Sequence, residues 1–76
     1  MNEVLEYIVK EIVEHPDAVE VTSQERERSV QLQLRVDPED MGKVIGKGGR
    51  TARALRTVMK AAGTRAGIST MVEIVE

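Results

Sequence analysis

An α+β domain with the order α-β-β-α-α-β is what the sequence predicts. Three observations carry it: a four-residue apolar repeat before His15, a two-residue alternation from Val30 to Val36, and helical spacing on both sides of a glycine cluster. The pairs Val4-Leu5, Ile8-Val9 and Ile12-Val13 make one stripe of a first helix, with Asn2 available as its cap. His15-Pro16-Asp17 ends that helix, because proline disfavours helical geometry in the residue before it and has no amide proton.

Val19 and Val21 then begin a strand. The polar run Gln24 to Ser29 reads as a break, and Val30, Leu32, Leu34 and Val36 alternate with Gln31, Gln33 and Arg35 as a half-buried second strand of a hairpin. Asp37-Pro38-Glu39-Asp40 is a helix start, with Asp37 as N-cap and acids near the positive dipole end. That short helix ends near Ile45. A third helix is expected from about Gly49 to Ala62, stopped by Gly63, with Ala52, Leu55, Met59 and Ala62 on its buried face. Thr64 to Thr70 reads as a loop and Met71 to Val75 as the last strand, with Val72 and Ile74 pointing the same way. A crossover through two helices favours parallel pairing of that strand with an earlier one. The expected result is a three-stranded mixed sheet with three helices on one face.

A chain of 76 residues has room for one domain, so residues 1–76 are read as a single unit with a small core. With 41% hydrophobic and 32% charged residues the composition is that of a folded protein, not a disordered one. The absence of cysteine excludes disulfides and thiolate metal sites, and a lone histidine, His15, cannot build a zinc site. No cofactor or metal is expected. The apolar runs fall far short of the roughly 20 residues that span a bilayer. Met1-Asn2-Glu3 is acidic where a secretory signal would be basic, and cytoplasmic residence is the expectation.

A net charge of -2 argues against a nucleic-acid partner only until its distribution is considered. Residues 1–40 carry -7, whereas residues 41–70 carry +7, from Lys43, Lys47, Arg50, Arg53, Arg56, Lys60 and Arg65 with no acid among them. Salt screens charges over roughly 8 Å at physiological strength, so a distant acidic helix does not cancel a local basic surface.

The basic segment begins at Gly46-Lys47-Gly48-Gly49, between two helices. Glycines permit positive φ and let another backbone approach closely. The amides of Gly48, Gly49 and Arg50 lie at the start of the third helix, where unpaired N–H groups favour a phosphate, and Lys47 adds a cation at the tip. At about 100° per residue, Arg50, Arg53, Arg56 and Lys60 fall near 0°, 300°, 240° and 280°, well away from the apolar face near 160°. A merely solvated face would mix in acids for i,i+4 pairs. This one has none. Nucleotide-loop spacings fail: a P-loop from Gly42 needs a glycine where Lys47 stands, and a dinucleotide fingerprint from Gly46 needs glycine or alanine where Thr51 stands.

The run Val44-Ile45-Gly46-Lys47-Gly48-Gly49-Arg50-Thr51-Ala52-Arg53-Ala54-Leu55 resembles the KH signature, an aliphatic pair before G-x-x-G and further aliphatics after it. The element order is similar to the type II KH arrangement, and the resemblance covers nearly the whole chain. KH loops clamp the backbone of about four unpaired nucleotides beside an aliphatic groove. Carried over, this implies single-stranded RNA as ligand, Gly46, Lys47, Gly48 and Gly49 as the clamp, and Val44 and Ile45 near the groove. Lys43, Arg50 and Arg53 become flanking phosphate contacts. Ala52 stands where many KH domains have isoleucine. Length and the stretch Val44 to Val58 resemble, more narrowly, the small stand-alone bacterial KH proteins of the KhpA family. That resemblance implies RNA-chaperone character, a KhpB-type KH partner, and a part in cell length and cell-wall synthesis.

A second reading makes the chain a protein-interaction subunit with RNA binding secondary. Ala54, Val58 and Ala61, at i, i+4 and i+7, form a small-residue strip that lets another helix approach, as in a homodimer or a pairing with another KH protein. The other possibility for the strip is the edge of the chain's own core. Catalysis is not expected, since residues 41–68 offer no Asp, Glu, His, Cys or Tyr.

Overall fold

The computed structural model describes residues 1–75 and has the predicted element order. Helix α1 spans Asn2–Ile12 and buries Leu5 and Val9. It starts one residue earlier than the cap reading allows: the amides of Val4 and Leu5 bond to the Met1 carbonyl. Asn2 therefore lies inside the first turn and does not cap it, and its side-chain amide reaches the Val21 carbonyl at 3.5 Å. The chain leaves α1 in an extended conformation at Val13 and makes a 3-10 turn over Pro16–Ala18.

Strands β1 (Glu20–Arg26) and β2 (Ser29–Arg35) pair antiparallel with Val21 opposite Leu34 and Arg26 opposite Ser29. Gln24, Glu25 and Arg26, which hydropathy reads as a break, are strand. Nearly all of β1 is solvated on both faces, so it has no alternation to find, and its backbone pairing alone defines it. Only Glu27 and Arg28 turn, Arg28 with φ +55°.

After β2 the Asp37 carboxylate accepts the Glu39 N–H at 2.9 Å, opening a 3-10 turn over Pro38–Asp40 that leads into α2 (Met41–Ile45). Helix α3 runs Arg50–Arg65, through Gly63 rather than stopping there. A Cβ at Gly63 would meet the Thr70 hydroxyl and stand 2.6 Å from the Ile68 carbonyl. Glycine at this point lets the helix lie directly on the start of β3. That strand, Ser69–Val75, begins two residues before the apolar alternation shows it and pairs parallel with β2, Leu32 opposite Val72.

The sheet order is β1-β2-β3, so β1 and β3 are edges. Leu32 and Leu34 point to the helical side, where they are fully buried with Leu5, Val44 and Met59. Each such side chain contributes roughly 1.5–3 kcal/mol by leaving water. The opposite face is mostly polar, with Gln31 donating to Glu73 at 3.3 Å, and carries the exposed Met71 beside Gln31. Among the described residues no helix is long and apolar enough to cross a membrane.

Candidate nucleic-acid interface

The loop joining α2 to α3 is dictated by its glycines. Gly46 closes α2 by donating to the Gly42 carbonyl at 2.9 Å, then takes φ +76° and ψ 167°, a conformation open in practice to glycine alone. A Cβ there would also meet the Thr51 hydroxyl and stand 2.8 Å from the Thr51 N and Cβ. Lys47–Gly49 makes a single 3-10 turn, closed by the Gly49 N–H on the Gly46 carbonyl at 3.1 Å, with Gly48 at φ +65° and Gly49 at +76°. The chain thus reverses between two helices within four residues. Lys47 and Gly48 stand exposed at the tip, and no side chain caps the first turn of α3, so its N–H groups keep their positive end open.

Beside the loop lies an open groove of about 370 Å³. Ile45, Ala52 and Ile74 form its apolar floor, Gly48 and Gly49 one wall, and Arg53 and Arg56 the other. Arg53 folds back to donate to the Gly48 carbonyl at 3.2 Å, and Arg56 donates to the Val72 carbonyl on the free edge of β3 at 3.3 Å. Both guanidiniums are thereby held beside the groove. Arg50, at the head of α3, is exposed.

The sequence pairs Val44 with Ile45, but the structure separates them. Val44 is fully buried and supports the loop from below, while Ile45 is 40% exposed and faces the groove. Ala52 is buried in the floor, where a smaller side chain leaves the groove wider. Arg56 and Ile74 join the groove without having been singled out as contacts. Arg56 carries a signal in the acid-free ridge; Ile74 carries none, because only the parallel pairing of β3 brings it beside α2.

Lys43 is placed differently from the other cations. Its ammonium lies 2.6 Å from the Glu14 carboxylate, on the side of α2 that meets the end of α1. The hydrogen bond and charge of Lys43 hold the Glu14 carboxyl below the usual glutamate range. Beneath this pair, buried Asp40 accepts the N–H groups of Glu14 at 3.1 Å and His15 at 3.0 Å. Burial by itself raises the Asp40 pKa, but the two backbone donors, with His15 and Lys43, outweigh it and leave the group below its ordinary value. Nothing in the sequence marks Asp40 out from its acidic neighbours; its role follows from the turn that directs it inward. It pins the segment that follows α1 to the start of α2.

Ala54, Val58 and Ala61 are exposed, with Val58 at 45%, so the strip is surface and not the margin of the core. Tyr7, the single aromatic residue of the sequence, is exposed on α1 and does not line the groove. Among the described residues one grouping has metal-ligand spacing: atoms of His15, Asp37 and Glu39 lie within 4.8 Å of one another. It sits on the surface near the start of α2, and its Asp37 is already engaged as a cap.

Comparison with known proteins agrees with this geometry. The family model described as the KH domain of KhpA/KhpB matches residues 2–74. The chain is 47% identical over 76 residues to the RNA-binding protein KhpA of Aquifex aeolicus, covering 100% of this chain and 96% of that protein. It is 51% identical over 75 residues to the RNA-binding protein KhpA of Clostridium acetobutylicum, covering 99% and 100%. With the protein of the same name from Streptomyces coelicolor it shares 55% identity over 65 residues, 86% of this chain and 82% of that one.

Proposed function

Since the chain belongs to the KhpA/KhpB KH-domain family, we propose that it acts as a single KH domain that binds single-stranded RNA. It is not an enzyme; its relatives are named for RNA binding. The observation that carries the proposal is the Gly46–Gly49 reversal opening onto a groove with an apolar floor and an arginine wall. Phosphates would lie against the exposed tip at Lys47 and Gly48 and the amides that open α3, with Arg50 and Arg53 flanking them. Bases would rest on Ile45, Ala52 and Ile74. Lys43 would contribute only after leaving Glu14. With no aromatic platform in the groove, affinity for one domain is expected to be on the order of micromolar, since stacking supplies roughly 1–3 kcal/mol per base where it occurs.

Weak, exchangeable contacts of this kind suit an RNA chaperone acting in the cytoplasm. From the resemblance to the KhpA family we extend the proposal to a KhpB-type KH protein as partner, a name the matching family model shares, and to a role in cell length and cell-wall homeostasis. The exposed Ala54, Val58 and Ala61 favour a second reading, in which α3 also pairs with another KH domain.

The test replaces Lys47 and Gly48 together by Asp. Aspartate tolerates the left-handed conformation of position 48, and a Cβ there meets nothing within 4 Å, so the fold is retained. In anisotropy titrations the parent should bind with a salt slope near about -2, for about three phosphates on a single strand. The double variant should lose at least tenfold. A folded variant that binds like the parent refutes the clamp.

A further inference from the structure

Helix α1 turns one face to the core and leaves the other without a partner. At about 100° per residue from Val4, buried Leu5 and Val9 fall near 100° and 140°, whereas Glu3, Tyr7 and Glu11 fall near 260°, 300° and 340°. Tyr7 thus stands at the middle of the outward face, with a carboxylate one turn before it and another one turn after. It is 68% exposed, more than any other large apolar side chain among the described residues, and Val4 beside it is 47% exposed. A shallow recess of about 240 Å³ runs along this face, lined by Glu3, Glu6, Tyr7 and Lys10. Lys10 does not neutralise the face. Its ammonium lies 2.8 Å from the Glu6 carboxylate, and among the described residues neither Glu3 nor Glu11 has an ion-pair partner.

We infer that this face docks a basic, partly apolar segment of a partner protein, with an arginine or lysine over the Tyr7 ring between Glu3 and Glu11 and an apolar side chain on Val4.

The chemistry of the face selects that occupant. Two unpaired carboxylates attract a cation and repel RNA or an acidic peptide. Glu3 and Glu11 each lie four residues from Tyr7, about 6 Å along the axis at roughly 1.5 Å per residue, so a guanidinium stacked on the ring is within reach of a carboxylate on either side. A ring face attracts such a cation within about 6 Å of its centre. Val4 then separates a polypeptide from a small polyamine, because only a polypeptide carries an apolar side chain next to its charge. Position matters as well. Neither Tyr7 nor Glu3 nor Glu11 lines the groove beside the glycine loop, so the docked segment and a nucleic acid occupy different surfaces of one molecule.

The experiment titrates the whole protein with a fluorescein-labelled peptide of three Lys-Arg-Leu-Ser repeats, with Glu-Glu-Leu-Ser repeats as the reversed-charge control. The parent should bind the basic peptide and not the acidic one. Y7A should weaken binding at least threefold, as expected for loss of a cation–π contact at an exposed site. Y7F, which keeps the ring, should bind as the parent does, and Y7L, which keeps apolar bulk without a ring, should behave like Y7A. The E3Q/E11Q pair should lose at least threefold at low salt and show a flatter salt dependence. The E20Q/E27Q pair, exposed acids on β1 and its turn, should change nothing. All of these positions are exposed or half-buried at most, and circular dichroism melts should match the parent. Equal peptide binding by the parent, Y7A and E3Q/E11Q overturns the inference, and parent-like binding by Y7L overturns the ring contact. Displacement of the peptide by spermidine at equal charge concentration would make the occupant a small polycation. Loss of self-association in Y7A by sedimentation, with peptide binding unchanged, would make it a second copy. Weaker binding of a four-nucleotide RNA by Y7A would make the face part of the RNA site. Each of these three results overturns the partner-protein reading.

Discussion

Replacing Gly46 by alanine separates what the loop's shape requires from what its charge supplies. At φ +76° and ψ 167° the residue occupies a region that costs an L side chain about 1–3 kcal/mol. The new Cβ would also meet the Thr51 hydroxyl and sit 2.8 Å from the Thr51 backbone nitrogen, which cannot move without unwinding the first turn of α3. Overpacking of this kind adds roughly 1–3 kcal/mol, partly relieved by small shifts, so G46A should cost about 3 kcal/mol in all. Gly49 is the control. It lies at φ +76° and ψ 15°, and its added Cβ meets nothing within 4 Å, so G49A should cost only about 1 kcal/mol. For a domain of this size each kcal/mol lowers the melting temperature by roughly 4–8 °C. Thermal melts followed by circular dichroism should therefore place G46A about 8–16 °C below G49A. Adding Thr51→Ala should restore little, because the clash with the backbone nitrogen remains. Equal melting temperatures for the two glycine variants would refute this account of the loop.

Other positions make equally sharp predictions. G63A should lose about 2–4 kcal/mol in urea titrations, and Thr70→Ala should not rescue it, because the Ile68 carbonyl would still stand 2.6 Å from the new Cβ. Asp40 has a folded pKa below its ordinary 3.8, so its stabilisation is complete above that value and fades as pH falls through the folded pKa. D40N should accordingly be less stable at neutral pH and show a flatter acid-unfolding profile below about pH 4. Glu14→Gln removes the partner of Lys43 and should raise RNA affinity about twofold at low salt, with the gain disappearing at high salt; unchanged affinity would mean that Lys43 does not reach RNA even when released.

Legibility in the sequence followed the physics of each element. Helices α1 and α3 and strand β2 pack one face on the core, and that asymmetry writes a period into the chain. Strand β1 does not, because most of it is solvated, and its length emerges only from pairing with β2. The glycine rule misread Gly63: a helix stop and a close approach use the same residue, and only the position of β3 tells them apart. At the loop, the local sequence was sufficient for Gly46 to Gly49 and for the arginine ridge. It could not reveal that Val44 turns inward, that Ile74 completes the floor, or that Glu14 holds Lys43, since these depend on elements distant in sequence.

The three faces of α3 suggest how a weak binder gains strength. At about 100° per residue, Ala52, Leu55 and Met59 centre near 170°, Arg53, Arg56 and Lys60 near 270°, and Ala54, Val58 and Ala61 near 50°. Core, cationic wall and small-residue strip thus divide the helix almost evenly. A partner helix seated on the small-residue strip would leave the arginine wall open, which a strip adjoining the wall more closely would not allow. Two grooves would then face outward on one assembly, and a strand long enough to reach both would meet the second at an effective concentration in the millimolar range. Against micromolar sites that gain is about 10²-fold or more, without a new contact to any base. The single aromatic residue of the chain, Tyr7, need not enter the groove for such binding to be useful. Substituting Val58 by Asp would test the coupling: it should leave binding of a four-nucleotide RNA unchanged while abolishing the extra affinity for an RNA that spans two sites. Equal losses on short and long RNAs would place Val58 in the binding groove instead, contrary to the division of the helix.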